Sequence, residues 1–164
     1  MTTKPASLRL NDQLCFSLYS ASRAVTGLYR TLLEDLELTY PQYLVMLALW
    51  DEDERLVKEL GLALNLDSGT LSPLLKRLET AGLVRRDRRE DDERSVRISL
   101  TEQGKDLRRK AVGIPDMVAE AMALSPAQLD EMRDAMSLLT DSVNAYRTSH
   151  AQPNLRVKQG PVPD

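Results

Sequence analysis

The chain has 164 residues and a net charge of −3, with 42% hydrophobic and 29% charged residues. That is ample for one folded domain with its own core and gives no sign of a fibrous or disordered class. Aromatic residues make up only 4% and the apolar set is mostly Leu, Ala, Val and Met, which favours helices over a β-sandwich. The single cysteine, Cys15, and the single histidine, His150, exclude an internal disulfide framework and a Cys/His zinc site, and no metal or other cofactor is expected.

In chain order, residues 1–6 read as a loose arm without the apolar core of a signal peptide. No apolar run approaches the ~18–20 residues that cross a bilayer, so a cytoplasmic protein away from membranes is expected. Ser7, or Asn11-Asp12, opens a first helix running to about Asp35. Leu14, Leu18, Ala21, Val25, Leu28 and Leu32 recur at spacings of 4 and 3, a seam suited to packing along another helix. Thr39-Tyr40-Pro41-Gln42 has the form of a capping box, with a helix from there to Trp50. Asp51 to Glu54 is a polar break.

Val57 to Leu64 reads as a short helix and Asn65-Leu66 as a tight turn. Asp67-Ser68 then opens a second helix whose Leu71, Leu74, Leu75 and Leu78 form one apolar stripe. Gly82 ends it. Val84 to Arg88 and Ser95 to Leu100 read as strands, the latter alternating Val96, Ile98 and Leu100, with the charged run Arg89 to Arg94 between them. Two short helices with a tight turn, followed by a charged hairpin, make a winged helix-turn-helix. Thr101 caps a further helix on which Leu107, Ala111, Ile114, Val118 and Ala121 continue the 4 and 3 spacing, interrupted at Gly113 and Pro115. Ser125-Pro-Ala-Gln128 is a second capping box. Leu129, Met132, Met136, Leu139, Val143 and Tyr146 form another seam. From Ser149 the chain loses periodicity, carries three prolines and reads as a flexible tail that includes a solvated His150.

The fold class expected is mainly α with a small β-wing: a winged helix-turn-helix in an intertwined homodimer, because one chain of this size can hardly bury both terminal seams. A single domain 1–164 would divide into dimerisation helices at 8–36 and 101–148, a DNA-binding region at 40–100 and a tail at 149–164. Charge follows that division. Lys76 to Lys110 carries 12 basic and 8 acidic residues, and the rest of the chain 10 basic and 17 acidic. A basic centre in an acidic frame suits a reader of nucleic acid whose dimer body faces away from it, and suits a purely protein-binding winged helix less.

DSGTLSPLLKRLETAGLVRR (67–86), with the wing DDERSVRISLTEQG (91–104) and its Asp92, Arg94, Leu100, Thr101 and Gly104, resembles the MarR family of winged-helix repressors over nearly all of Leu10 to Tyr146. The segment from Leu10 to Asp53 is similar to the OhrR-type branch, the organic-hydroperoxide-sensing repressors. Its one-cysteine type is matched by Cys15 with Tyr19, Tyr29 and Tyr40. The recognition helix would bring Ser68, Thr70, Ser72 and Pro73 to base edges in the major groove. Lys76, Arg77, Arg85, Arg86 and Arg88 would meet phosphates. The resemblance gives Arg94 the minor groove, and pairing of Arg94 with an acid such as Asp67 or Asp92 would hold the wing in shape. Double-stranded DNA with a pseudo-palindromic operator is the implied partner.

A lone helical cysteine is more often a small buried hydrophobe than a reactive thiol. Cys15 lies near the start of its helix, where the dipole favours thiolate, and Tyr19 is one turn away. Tyr29 faces the same side but lies about 21 Å along the axis at ~1.5 Å per residue, so it cannot reach Cys15 of its own chain. The resemblance implies that Tyr29 and Tyr40 of one subunit meet Cys15 of the other. An organic hydroperoxide, favoured by an apolar pocket of Phe16, Leu44 and Leu47, would be the inducer. With no second cysteine, oxidation would end in a mixed disulfide with a low-molecular-weight thiol, a sulfenamide or overoxidation. The alternatives are a MarR-type repressor released by a small phenolic or drug-like ligand, with Cys15 incidental, and a thiol peroxidase. One cysteine beside an evident DNA-binding module argues against an enzyme.

Overall fold

A computed structural model of the chain describes residues 7–88 and 96–150. Its helices are α1 (Leu14–Leu32), α2 (Tyr40–Asp51), α3 (Val57–Leu64), α4 (Ser68–Thr80), α5 (Glu102–Ala111), α6 (Ile114–Met122) and α7 (Pro126–Ser149). The strands are β1 (Arg55–Leu56), β2 (Val84–Arg88) and β3 (Val96–Leu100). They form an antiparallel sheet in the order β1-β3-β2, with Arg55 opposite Ile98 and Val84 opposite Leu100. Two compact units result, Met1–Ala121 and Met122–Asp164.

The first unit is built around α2. Tyr43, Val45, Met46, Leu49 and Trp50 are all buried, because α1, α3, α4 and α5 pack around this one helix. Its N-terminus is closed as expected: the side-chain oxygen of Gln42 accepts from the Thr39 N–H and from the Thr39 hydroxyl, both at 2.8 Å. That satisfies a polar group that would otherwise be costly to bury. On α4 the leucine stripe Leu71, Leu74, Leu75 and Leu78 is buried against this core, beside Leu60 of α3. Gly82, at φ +72°, ends the turn after α4, and the Leu83 N–H closes it on the Leu78 carbonyl at 3.0 Å.

Both ends of α1 and one strand differ from the sequence expectation. Helix α1 opens at Leu14 behind Gln13, not at Ser7 or Asn11, because Leu10–Asp12 forms a separate 3-10 turn. It ends at Leu32, not Asp35. Leu33 and Leu36 turn into the core through the 3-10 turn Glu34–Leu36, and Glu37 reverses the chain at φ 53°. Strand β1, directly after the polar break and two residues long, exists only through long-range pairing with β3 and has no periodicity to announce it. The break between α5 and α6 falls at residues 112–113, with Pro115 in the first turn of α6, where its missing N–H costs nothing.

In the single chain neither α1 nor α7 has a buried residue. The second unit contains α7, capped by Ser125, whose hydroxyl accepts from the Gln128 N–H at 3.3 Å while the Gln128 side chain accepts from the Ser125 N–H at 2.9 Å. Met132, Met136, Val143 and Tyr146 of its seam are exposed. No helix among the described residues is long and apolar enough to cross a membrane.

Candidate DNA interface and cysteine site

The outward face of α4 is set by its cap. Asp67 accepts the Thr70 N–H on Oδ1 at 2.8 Å and the Thr70 hydroxyl on Oδ2 at 3.2 Å. These bonds hold its carboxyl below the usual carboxylate range. With the leucine stripe buried, Ser68, Thr70, Pro73, Lys76 and Arg77 are left exposed and Ser72 half-buried. The two groups of side chains alternate as one amphipathic helix requires. Pro73 sits inside α4 without breaking it.

In the wing, Arg85 and Arg86 project from β2, and Arg85 Nε is paired with Asp87 Oδ2 at 3.1 Å. An exposed pair of this kind is weak and exchanges readily for a phosphate. The backbone of Arg88 ends β2; its side chain, Asp92 and Arg94 lie outside what the structure describes. The root of the wing is tightly tied. The Thr101 N–H donates to the Leu83 carbonyl (3.1 Å) and its hydroxyl to the Gly82 carbonyl (2.6 Å). The Gly104 N–H returns to Thr101 Oγ1 at 3.0 Å, the expected cap of α5. The Trp50 indole N–H donates to the Gly104 carbonyl at 2.9 Å. The Leu100 N–H donates to Asp53 Oδ1 at 2.8 Å.

Cys15 is the second residue of α1 and is exposed, so it is not the small buried hydrophobe that a lone helical cysteine usually is. Tyr19, one turn on, is also exposed. Its hydroxyl accepts from Arg23 Nη1 at 3.1 Å, and the same guanidinium lies 5.7 Å from its ring centre. The phenol thus keeps its own proton for donation. Tyr29 and Tyr40 stand apart from this end of α1 and together, with ring centres 4.4 Å apart. Burial pushes both phenols up from their usual range, so both remain protonated donors at neutral pH.

Two aromatic residues that the sequence reading did not single out join this pair. Tyr43 lies 5.8 Å from the Tyr29 ring and 6.1 Å from the Trp50 ring, so that Tyr40, Tyr29, Tyr43 and Trp50 form a continuous row. The signal was present as Tyr43, Leu47 and Trp50, spaced 4 and 3 on one face of α2. A pocket of about 210 Å³ lies alongside, lined by Tyr43, Leu47, Trp50, Asp51, Arg108, Ala111, Val112 and Pro115. Of the apolar residues expected around the cysteine, Leu47 lines this pocket, whereas Phe16 and Leu44 are half-buried elsewhere on α1 and α2.

A helix-turn-helix whose second helix turns polar side chains outward, followed by an antiparallel wing, defines a winged-helix transcriptional regulator. Residues 27–110 match the model of the SarA/Rot transcriptional regulators. The organic hydroperoxide resistance transcriptional regulator of Bacillus subtilis is 46% identical over 88% of this chain and 98% of its own. Reduced AbfR bound to DNA, a Staphylococcus epidermidis protein, superposes with a TM-score of 0.72 at 35% identity, covering 85% of this chain and 95% of its own. Disulfide-formed AbfR superposes at 0.57 with 37% identity over 81% and 93%. The chain belongs to the MarR family of winged-helix transcriptional regulators, in its OhrR-type branch.

Proposed function

We propose that the protein is a homodimeric, cytoplasmic repressor that binds a pseudo-palindromic operator and lets go when an organic hydroperoxide oxidises Cys15. The observation that carries this reading is an exposed cysteine at the N-terminal end of α1 in a chain 46% identical to an organic hydroperoxide resistance regulator. Dimerisation is supported by the two long helices α1 and α7, neither of which buries a residue within one chain.

On DNA, Ser68, Thr70, Ser72 and Pro73 of α4 face base edges. The Thr70 hydroxyl already donates to Asp67 and so serves as an acceptor for a base amino group. Lys76, Arg77, Arg85, Arg86 and Arg88 meet phosphates, and Arg94 enters the minor groove from the wing. Asp67 caps α4; a second duty for it or for Asp92 as partner of Arg94 belongs to the same proposal. A protein that neutralises several phosphates loses affinity steeply with salt.

In the sensor, the Cys15 thiolate attacks the outer oxygen of the hydroperoxide. The O–O bond breaks, an S–O bond forms, and the alkoxide leaves as the alcohol after taking a proton. Sulfur is oxidised by two electrons to the sulfenic acid. Tyr19 of the same chain and the protonated Tyr29 and Tyr40 of the partner donate hydrogen bonds to the thiolate. No second cysteine resolves the sulfenate within the chain. A low-molecular-weight thiol then condenses with it to a mixed disulfide and water, or it closes to a sulfenamide or is oxidised further. The test is a gel shift on the DNA upstream of the protein's own gene, with and without cumene hydroperoxide. Wild type releases the DNA; Cys15→Ser binds it and stays bound. Release by that variant overturns the reading.

A second reading rests on the pocket between α2 and α5. Its apolar walls and the Arg108 guanidinium suit a small phenolic acid, with Cys15 incidental. It predicts release of DNA by such a ligand from Cys15→Ser.

A further inference from the structure

Helix α2 touches both ends of the regulator. Its first residue, Tyr40, packs against Tyr29 with the rings tilted, and Tyr43 extends the contact inward. At its other end Trp50, and Asp53 in the turn that follows the helix, hold the wing root by two hydrogen bonds, to the Gly104 carbonyl at 2.9 Å and from the Leu100 N–H at 2.8 Å. Leu100 pairs with Val84, the innermost rung shared by both wing strands. Between these ends half of its residues are buried, among α1, α3, α4 and α5, and close-packed interiors transmit displacement rather than absorb it. Its 12 residues span about 18 Å.

We propose that α2 is a lever coupling the tyrosine pair to the wing, with Trp50 and Asp53 as the positioning residues that hold its far end. Movement of Tyr29 and Tyr40 when Cys15 is oxidised turns α2. The turn reaches β3 and the start of α5 through the Gly104 and Leu100 bonds, and the wing leaves its place on the DNA. This rests on the functional reading above and adds to it the route by which the sensor reaches the output. It assigns Tyr43, Trp50 and Asp53 a role in response rather than in peroxide chemistry or DNA contact.

Trp50 is the only tryptophan in the chain, so its fluorescence reports on this joint directly. The experiment follows three signals in one sample of full-length protein titrated with cumene hydroperoxide: sulfenylation of Cys15 by dimedone labelling and mass spectrometry, DNA affinity by anisotropy, and Trp50 emission. In wild type all three change together. Cys15 oxidation and DNA release with unchanged Trp50 emission overturn the lever and leave the functional reading standing. Oxidation without release overturns that reading and the lever with it.

Trp50→Phe keeps the ring and removes the N–H. It is expected to bind DNA when reduced and to be sulfenylated at the wild-type rate, yet to lose about 10-fold less affinity on oxidation than wild type does. A merely structural role lowers affinity in both states and leaves that ratio unchanged, which contradicts the proposal. If Trp50→Phe does not fold, by circular dichroism, Asp53 decides. Asp53→Ala is expected to uncouple and Asp53→Asn, which keeps the acceptor, to respond like wild type. Equal behaviour of the two Asp53 variants overturns the lever.

Discussion

Tyr29 and Tyr40 are half-buried beside the buried Tyr43, and burial is the main cause that raises all three phenol pKa values. A phenol whose pKa is raised on folding adds stability below its unfolded value near 10, and that stability is lost as the pH climbs through the folded value. A titration followed at 295 nm should therefore show three phenols ionising later than free tyrosine, with the fold weakening as they do. Normal titration of all three would mean the cluster is open to water. Asp67 behaves in the opposite sense. Its lowered pKa means that its cap on α4 is intact above the ordinary carboxylate range and lost as the pH falls through the folded value. Asp67→Ala should lower the midpoint of urea unfolding, as N-cap truncations do. A loss of operator affinity far beyond that in stability would point to a further duty on the DNA side.

At the scale of elements, the first turn of α5 is pressed against Leu83, the residue before β2. A Cβ built on Gly104 would collide with the Leu83 carbonyl oxygen, a backbone atom, and stand 3.2 Å from Leu100 Cδ2. Gly104→Ala must push the wing root and α5 apart and should destabilise the protein by about 3 kcal/mol. Urea unfolding checks this, and a neutral result would mean the joint is loose. The elements themselves were largely legible. The leucine stripe of α4, the Thr39, Thr101 and Ser125 caps and the interruption at Gly113 and Pro115 are local signals, and local structure follows them. What stayed hidden was non-local. β1 is a strand only because β3 lies beside it. The early end of α1 is imposed by Leu33 and Leu36 entering the core. The sensor tyrosines were named from a resemblance, whereas Tyr43 and Trp50 emerged only once α2 was seen packed against α1 and α5.

For the whole molecule, the largely exposed seam of α7 and the seam of α1, which one chain leaves at most half-buried, are the reason to expect two chains. A sedimentation experiment should find a dimer. Met136→Glu, a charge placed on the α7 seam, should raise the dimer dissociation constant at least about tenfold, equivalent to ~1.4 kcal/mol. An unchanged dimer would place the interface elsewhere. The account as a whole joins one thiol to one DNA-binding event, and stoichiometry tests that join most directly. The operator complex is titrated with cumene hydroperoxide while Cys15 oxidation and bound DNA are counted together. Release should track oxidation of Cys15 and finish at about one hydroperoxide per chain, without turnover of the excess. DNA leaving while Cys15 remains reduced, or hydroperoxide consumed over many cycles, would contradict it.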